Sequence, residues 1–283
     1  MTAIPDVRLN DGTTLPAIGL GTYGLRGAAG VQSMIQAVQN GYRLLDSAVN
    51  YENEGAVGAA VRRVTRELGI PRDALRITSK LPGRHHRQAA ALLSIEESLF
   101  RTQLDYFDLY IIHWPNPRQE LYVEAWQALV EAQKRGLVRS IGVSNFLPEH
   151  LDRIIADSGV VPSVNQVELH PYLPQDEQRA YHAKHGIVTE SWSPIARGKE
   201  LLAEPVLEAI ATRVQRTVSQ VVLRWHAQVG AIAIPKSASS ERQQENLALF
   251  DFTLTDADMA SIATLARENG RIFGFHPADH EEF

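Results

Sequence analysis

The sequence predicts an α/β fold, a single (β/α)8 barrel with an N-terminal β-hairpin and two additional helices, occupying residues 1–283 as one domain. Three observations lead there. Short, β-branched apolar runs recur at 17–22, 43–48, 76–81, 107–113, 139–145, 164–169, 187–193 and 231–236, mostly at the spacing of roughly 30 residues that a βαβ unit requires. Runs such as Asp108-Leu-Tyr-Ile-Ile-His113 and Ala231-Ile-Ala-Ile-Pro235 are apolar on both faces, as parallel strands covered by helices should be. No Gly/Ser/Pro-rich linker or shift of composition divides the 283 residues, a length near the roughly 250 typical of this barrel.

The elements follow in order. Asn10-Asp11-Gly12, between Val7-Arg8-Leu9 and Thr13-Thr14-Leu15, has the turn chemistry of a hairpin placed before the first barrel strand. Gly19-Leu-Gly21-Thr-Tyr-Gly24 then matches the G-x-G-x-x-G fingerprint of a dinucleotide-binding unit. That motif needs a helix opening at its last glycine, and Leu25-Arg-Gly-Ala-Ala-Gly30 is too rich in glycine to start one cleanly. We therefore expect a loop there, and a barrel. Over 120–134, Leu121, Ala125, Leu129 and Ala132 share one stripe, and Gly136 can close the helix. The longest interval, before the last strand, holds an extra helix over 204–213 and then a helix capped by Thr217. Residues 255–267 read as a second extra helix.

Composition excludes several classes of function. With 28 Lys and Arg against 33 Asp and Glu, the net charge is −5, so no general attraction to nucleic acid or acidic membranes is expected. Cysteine is absent, which removes disulfides, thiolate zinc sites and iron–sulfur clusters. The polar start shows no signal peptide, and no apolar run approaches the roughly 18 residues of a membrane helix. We expect a cytoplasmic monomer. His182 and His185 on one helix, and the pair His85-His86, lack carboxylates at ligand spacing; they read as solvated histidines, and no metal site is expected.

In such a barrel, chemistry sits at the carboxyl ends of the strands. The polar residues there are Thr22, Asp46, Lys80, His113, Ser144, Asn145, Gln166, Trp192, Ser193, Lys236 and Ser237. Asp46 and Lys80 end neighbouring strands, and a buried pair of this kind need not stabilise the fold, which favours a functional explanation. Tyr51 follows five residues after Asp46, where its phenol can turn back over the pocket. A phenol titrates near 10, and an adjacent ammonium, Lys80, would lower that value and suit it to act as an acid. His113, at the end of its strand, can donate a hydrogen bond to a substrate oxygen.

Five segments carry a resemblance to a known family: Gly41-Tyr-Arg-Leu-Leu-Asp-Ser-Ala-Val-Asn-Tyr-Glu-Asn-Glu54, Ile77-Thr-Ser-Lys80, Leu109-Tyr-Ile-Ile-His-Trp-Pro115, Ile141-Gly-Val-Ser-Asn-Phe146 and Ile234-Pro-Lys-Ser237. They resemble, in order and spacing, the signature segments of the aldo-keto reductases, in particular the bacterial branch that includes 2,5-diketo-D-gluconic acid reductases. The resemblance implies a (β/α)8 barrel that reduces aldehydes and ketones with NADPH, and a catalytic tetrad falling on Asp46, Tyr51, Lys80 and His113. Ser47 departs from the usual threonine but keeps the hydroxyl.

The cofactor site joins chemistry to the resemblance. Ser144, Asn145 and Gln166 can satisfy a nicotinamide carboxamide, and Trp192 can stack on the ring. Lys236, Ser237 and Arg242 bring two cations and a hydroxyl to one segment, where a phosphate is well accommodated. By resemblance, this segment with Glu245 and Asn246 holds the adenosine 2′-phosphate and adenine. Gly21, Thr22, Asp46 and Ser193 complete the expected cofactor contacts, and Tyr23, Tyr51, His113 and Trp114 the substrate contacts, with the carboxyl-terminal loop 271–283 and its Phe273, Phe275 and His276. The expected partner is a small-molecule carbonyl. Two other classes are open to such a barrel: a cofactor-binding redox sensor with little turnover, and a hydrolase pairing Asp46 with Glu190 across a sugar cleft.

Overall fold

Alternation within each strand explains how the barrel is filled. In the computed structural model, which describes residues 3–198 and 200–283, the hairpin strands β1 (Asp6–Arg8) and β2 (Thr14–Pro16) are antiparallel and pair Val7 with Leu15. Eight parallel strands follow: β3 (Leu20–Gly21), β4 (Leu44–Asp46), β5 (Arg76–Leu81), β6 (Phe107–Ile112), β7 (Val138–Ser144), β8 (Val164–Glu168), β9 (Val188–Trp192) and β10 (Ala231–Ile234), hydrogen-bonded in sequence order. The ring closes through bridges from Ile18 to Ala233 and from Gly21 to Lys236. Leu44, Leu109, Ile111, Val164, Ile232 and Ile234 form one buried cluster with Leu9 and Leu15 of the hairpin region. Side chains repeat their face every second residue. The positions two beyond Leu44, Val164 and Val188 are Asp46, Gln166 and Glu190, so a polar layer stands directly above the apolar one.

The hairpin covers the amino-terminal end of the barrel. Asn10 Nδ2 donates to the Pro162 carbonyl at 3.0 Å, and Ser163 Oγ donates to Asn10 Oδ1 at 2.8 Å. Around the ring lie α1 (Gly27–Asn40), α2 (Glu54–Leu68), α3 (Gln88–Thr102), α4 (Tyr122–Lys134), α5 (Pro148–Ser158), α6 (Asp176–His185), α8 (Val218–Gln228) and α9 (Ser240–Leu247), with α7 (Pro205–Val214) and α10 (Asp256–Ala263) as the two additional helices. Among the described residues no helix is long and apolar enough to cross a membrane. Thr217 caps α8 through a reciprocal pair with Gln220, at 3.2 and 3.0 Å.

Several local expectations need correction. A helix does open in the glycine-rich segment: α1 begins at Gly27, three residues past the end of the G-x-G-x-x-G run. Gly30 is required there because a Cβ would lie 2.4 Å from the Leu25 carbonyl carbon. The stripe of α4 is wider than expected: Tyr122, Trp126 and Ala128 join Ala125, Leu129 and Ala132, and Leu121 is only half-buried. The last helix stops at Ala263 rather than 267. Arg267 is instead drawn into tertiary contacts, its N–H to the Tyr172 carbonyl at 3.0 Å and its guanidinium 3.6 Å over the Tyr172 ring. His182 and His86 are buried, not solvated. His182 bonds Thr189 at 2.8 Å and Asn165 at 2.9 Å inside the wall between α6 and the sheet.

Candidate active site

The end of β4 and the end of β5 bring opposite charges together. Asp46 pairs in register with Thr78, and Lys80, two residues on, points from the same face. Lys80 Nζ donates to both carboxylate oxygens of Asp46, at 2.7 and 2.6 Å, and to the Ser47 carbonyl at 2.9 Å. Both side chains are buried. Burial favours the neutral amine, but Asp46, with Tyr51 and Glu190, outweighs it and holds the Lys80 pKa above the ordinary lysine value. The pair is surrounded by further bonds. Thr22 Oγ1 donates to the Asp46 carbonyl at 2.8 Å, and Ser47 Oγ donates to Asn53 Oδ1 at 2.8 Å. Asn53 in turn donates to the Thr22 carbonyl at 2.7 Å, tying the loop after β4 to the loop after β3.

Tyr51 ends a single 3-10 turn, Val49–Tyr51, immediately beyond Asp46. Its ring centre lies 5.0 Å from Lys80 Nζ and 5.9 Å from the His113 ring, and Tyr23 packs edge-on at 5.2 Å. Burial raises the Tyr51 pKa, and Asp46 adds to it, against the lowering charge of Lys80. The net direction is upward, which corrects the expectation of a lowered phenol: Lys80 acts in the expected sense but is outweighed. His113 follows β6. Its N–H donates to the Leu81 carbonyl at 2.9 Å, and its carbonyl accepts from Asn145 Nδ2 at 3.0 Å. The structure thus brings Asp46, Tyr51, Lys80 and His113 to one mouth of the barrel.

A second group lines the same mouth from β7, β8 and β9. Ser144 Oγ donates to the Gln166 carbonyl at 2.7 Å, and Trp192 Nε1 donates to Asn145 Oδ1 at 2.8 Å. Gln166 Nε2 donates to Asp46 Oδ1 and to Glu190 Oε2, each at 2.9 Å. Its Oε1 is left without a protein donor among the described residues. Two buried carboxylates sharing one amide leave no room for a sugar between them, so the pairing of Asp46 with Glu190 across a cleft does not occur. Burial, reinforced by Asp46, pushes the Glu190 carboxyl up to about 7.

The third group lies after β10. Lys236, beside Gly21 through the closing bridge, and Arg242 on α9 are exposed, and neither is in an ion pair among the described residues. Ser237 is buried, with its Oγ accepting from the Ser239 N–H at 3.2 Å. Glu245 accepts from Thr217 Oγ1 at 2.6 Å, and Asn246 is buried. Ser193 sits in the left-handed region at φ 49° just beyond β9. Among the described residues no group of three or more His, Asp or Glu is placed to hold a metal ion.

Aromatic rings close the rim. Trp114 is buried beneath Trp192, Phe275 and His280, at ring distances of 6.5, 6.4 and 4.3 Å. Tyr23 and Phe273 are exposed, and Arg197 lies 4.7 Å over the Phe273 ring. The structure places Asp46, Tyr51, Lys80, His113, Ser144, Asn145 and Gln166 together at this mouth; sequence reasoning names the loop 271–283 but not Glu282 within it, does not single out Asn53, and treats Glu190 only as a hydrolase acid. Asn53 carries a local signal, because an asparagine two residues beyond Tyr51 can cap the loop. Glu282 carries none.

The Aldo/keto reductase family profile matches residues 17–267. The chain is 51% identical over 282 residues to 2,5-diketo-D-gluconic acid reductase B of Corynebacterium sp. (strain SHS752001), covering 100% of each chain. Among solved structures, a mutant of Gox0644 in complex with NADPH superposes with a TM-score of 0.90 at 42% identity, over 95% of this chain and 96% of that one. An aldo-keto reductase of Bombyx mori in complex with NADP gives 0.89 at 33% identity, over 96% and 95%.

Proposed function

The chain belongs to the aldo/keto reductase family, and on that footing we propose that it is an NADPH-dependent oxidoreductase that reduces a small aldehyde or ketone to the alcohol. The observation that carries the reading is the convergence of Tyr51, Lys80, Asp46 and His113 at one strand-end mouth, with Lys80 5.0 Å from the Tyr51 ring centre and His113 5.9 Å from it. When bound, NADPH supplies a hydride to the carbonyl carbon. Tyr51 gives its phenolic proton to the carbonyl oxygen, which keeps the developing charge from persisting as an alkoxide, and the tyrosinate is re-protonated from solvent. Its raised pKa keeps Tyr51 protonated at neutral pH, as a general acid requires. Lys80, fixed by Asp46, places a positive charge beside the tyrosinate formed. His113 donates to the carbonyl oxygen and orients it.

The residues present fit the cofactor. Asp46 and Glu190 take both amide hydrogens of Gln166, which leaves its Oε1 as the acceptor for a carboxamide N–H. Ser144 and Asn145 stand beside it, Trp192 offers a flat face, and Gly21, Thr22 and Ser193 border the same space. Lys236, Arg242 and Ser237 are assigned to the 2′-phosphate, and Glu245 and Asn246 to the adenine end. Two free cations in one segment suit a doubly charged group. Tyr23, Tyr51, His113 and Trp114 line the substrate side. We take residues 1–283 to work as one barrel domain, a cytoplasmic monomer acting without nucleic acid or membrane. The test is a screen of aldehydes and ketones followed by NADPH absorbance. Tight NADPH binding with no oxidation by any carbonyl would instead support a redox-sensing barrel.

A further inference from the structure

Glu282 stands near the end of the sequence, yet its carboxylate ends among the residues just described. Oε1 lies 2.7 Å from His113 Nδ1 and accepts a 2.7 Å hydrogen bond from Asn50 Nδ2. Oε2 accepts from the Gly83 N–H at 3.1 Å. One buried side chain grips the main chain of Glu282 at two points: Asn116 Nδ2 donates to its carbonyl at 2.6 Å, and its N–H donates to Asn116 Oδ1 at 3.0 Å. Asn116 holds φ 47° to do so, a conformation that costs free energy for any residue but glycine. Gly83 makes the space, since a Cβ there would meet Asn116 Nδ2 at 2.2 Å and the Glu282 carbonyl oxygen at 2.4 Å. Glu281 is anchored too, by the Arg118 N–H at 2.8 Å and Gln119 Nε2 at 3.0 Å. The loops after β4, β5 and β6 are all shaped around this segment.

We infer that Glu282 is a positioning residue for His113, its carboxylate fixed opposite the Nδ1 edge of the imidazole so that Nε2 stays free to donate to the carbonyl oxygen. The contact is close rather than well aligned, so the carboxylate acts mainly as a fixed charge opposite the ring edge. Burial alone would raise its pKa, but His113, Gly83 and Asn50 together hold it below the usual carboxylate range, and at neutral pH it is an anion. The other titratable groups near the ring are Tyr51, with Lys80 and Asp46 behind it, and His280. Only Glu282 reaches a ring nitrogen of His113 among the described residues. An anion beside Nδ1 fixes the ring's orientation without occupying Nε2, a role distinct from packing.

The inference rests on the reading of His113 as the group that orients the carbonyl, and its test separates the two. Nitrogen-15 NMR of the histidine rings reports the electrostatic surroundings of both His113 ring nitrogens, and it needs no turnover. Glu282→Gln keeps one acceptor, for Asn50 or for Gly83, and the Asn116 grip is on main chain, so the segment keeps its main-chain anchor while the charge is lost. Glu282→Gln should shift the His113 ring-nitrogen signals and lower kcat for carbonyl reduction about tenfold, the size expected for one charged contact. NADPH affinity should hold within about twofold and KM should change less than kcat. Glu282→Asp, which keeps the charge, should recover part of the rate. An unchanged His113 spectrum with unchanged kcat in Glu282→Gln would overturn the inference. An enzyme without carbonyl turnover would sink the functional reading, and the NMR result would still decide the role of Glu282.

Discussion

Lys80 commits all three ammonium donors to one neighbourhood, two to Asp46 at 2.7 and 2.6 Å and one to the Ser47 carbonyl at 2.9 Å. It acts on Tyr51 chiefly as a charge 5.0 Å from the ring centre. The pair is a unit, and breaking it has a structural cost apart from any loss of rate. Lys80→Met leaves a buried carboxylate without its cation, which typically costs about 3–5 kcal/mol. Urea unfolding should show that loss, and adding Asp46→Asn to Lys80→Met should restore part of it. A Lys80→Met protein that unfolds at the wild-type midpoint would show that Asp46 finds another partner.

Cofactor preference should reside in Lys236 and Arg242. The 2′-phosphate of NADPH is an anion where NADH carries a hydroxyl, and charged hydrogen bonds contribute about 1.5–3 kcal/mol each. Arg242→Ala should weaken NADPH about ten- to a hundredfold and NADH far less, and added salt should narrow the wild-type preference because both cations are exposed. Equal weakening of the two cofactors, measured by fluorescence titration, would remove Arg242 from phosphate recognition.

These assignments show how much was legible in the residues. A strand buried on both faces announces itself by continuous apolar residues, as Phe107–Ile112 does, and the next polar residue marks where the chain leaves the core. Asp46, Lys80, His113 and Gln166 are such residues, so their convergence follows from the barrel. Burial of His182 was not legible, because it depends on Thr189 and Asn165 reaching it from two strands. Nor was the net direction of the Tyr51 shift, since burial is set by neighbours such as Tyr23 that arrive from other loops. The loop 271–283 was expected at the pocket, but Glu282 within it was hidden for the same reason: its partners Asn50, Gly83, His113 and Asn116 belong to three different loops, and no local pattern links them to it.

Acid should destabilise the fold through buried histidines. Burial holds His182 and His226 to about 3 and His86 to about 4, against about 6.5 for an unfolded histidine. The folded-state pKa values are depressed, so their stabilising contribution is fully present above pH 6.5 and is lost as pH falls toward 4. Each histidine adds a slope of about 1.4 kcal/mol per pH unit in that window. Thermal unfolding followed from pH 7 to 5 should show a steadily falling Tm, and His182→Gln should flatten the fall. A Tm independent of pH across that range would contradict the burial of these rings as neutral groups.

Glu190 should act on the alkaline side. Its folded-state pKa is raised to about 7, so the stability it confers is present below its unfolded value near 4.5 and is lost as pH rises through 7. Glu190→Gln keeps an acceptor for Gln166 and removes the buried charge. It should be more stable than wild type by about 1–3 kcal/mol at pH 8, with the difference shrinking toward pH 5. Urea unfolding at the two pH values checks this, and a variant less stable at pH 8 would mean that the ionised carboxylate is needed.

The chemistry turns on one hydroxyl, and Tyr51→Phe isolates it. The ring packs edge-on against Tyr23 and His113 at 5.2 and 5.9 Å, contacts that phenylalanine retains, so the fold and the NADPH site should survive. Removing a general acid lowers a rate by about 10²- to 10⁴-fold. The direct measurement is kcat for reduction of a reactive aldehyde by NADPH, taken together with the NADPH dissociation constant, in wild type and Tyr51→Phe. A loss of at least about a hundredfold in kcat with NADPH affinity within about twofold is the predicted result. A variant that keeps more than half of the wild-type rate would contradict the assignment of Tyr51 as the proton donor.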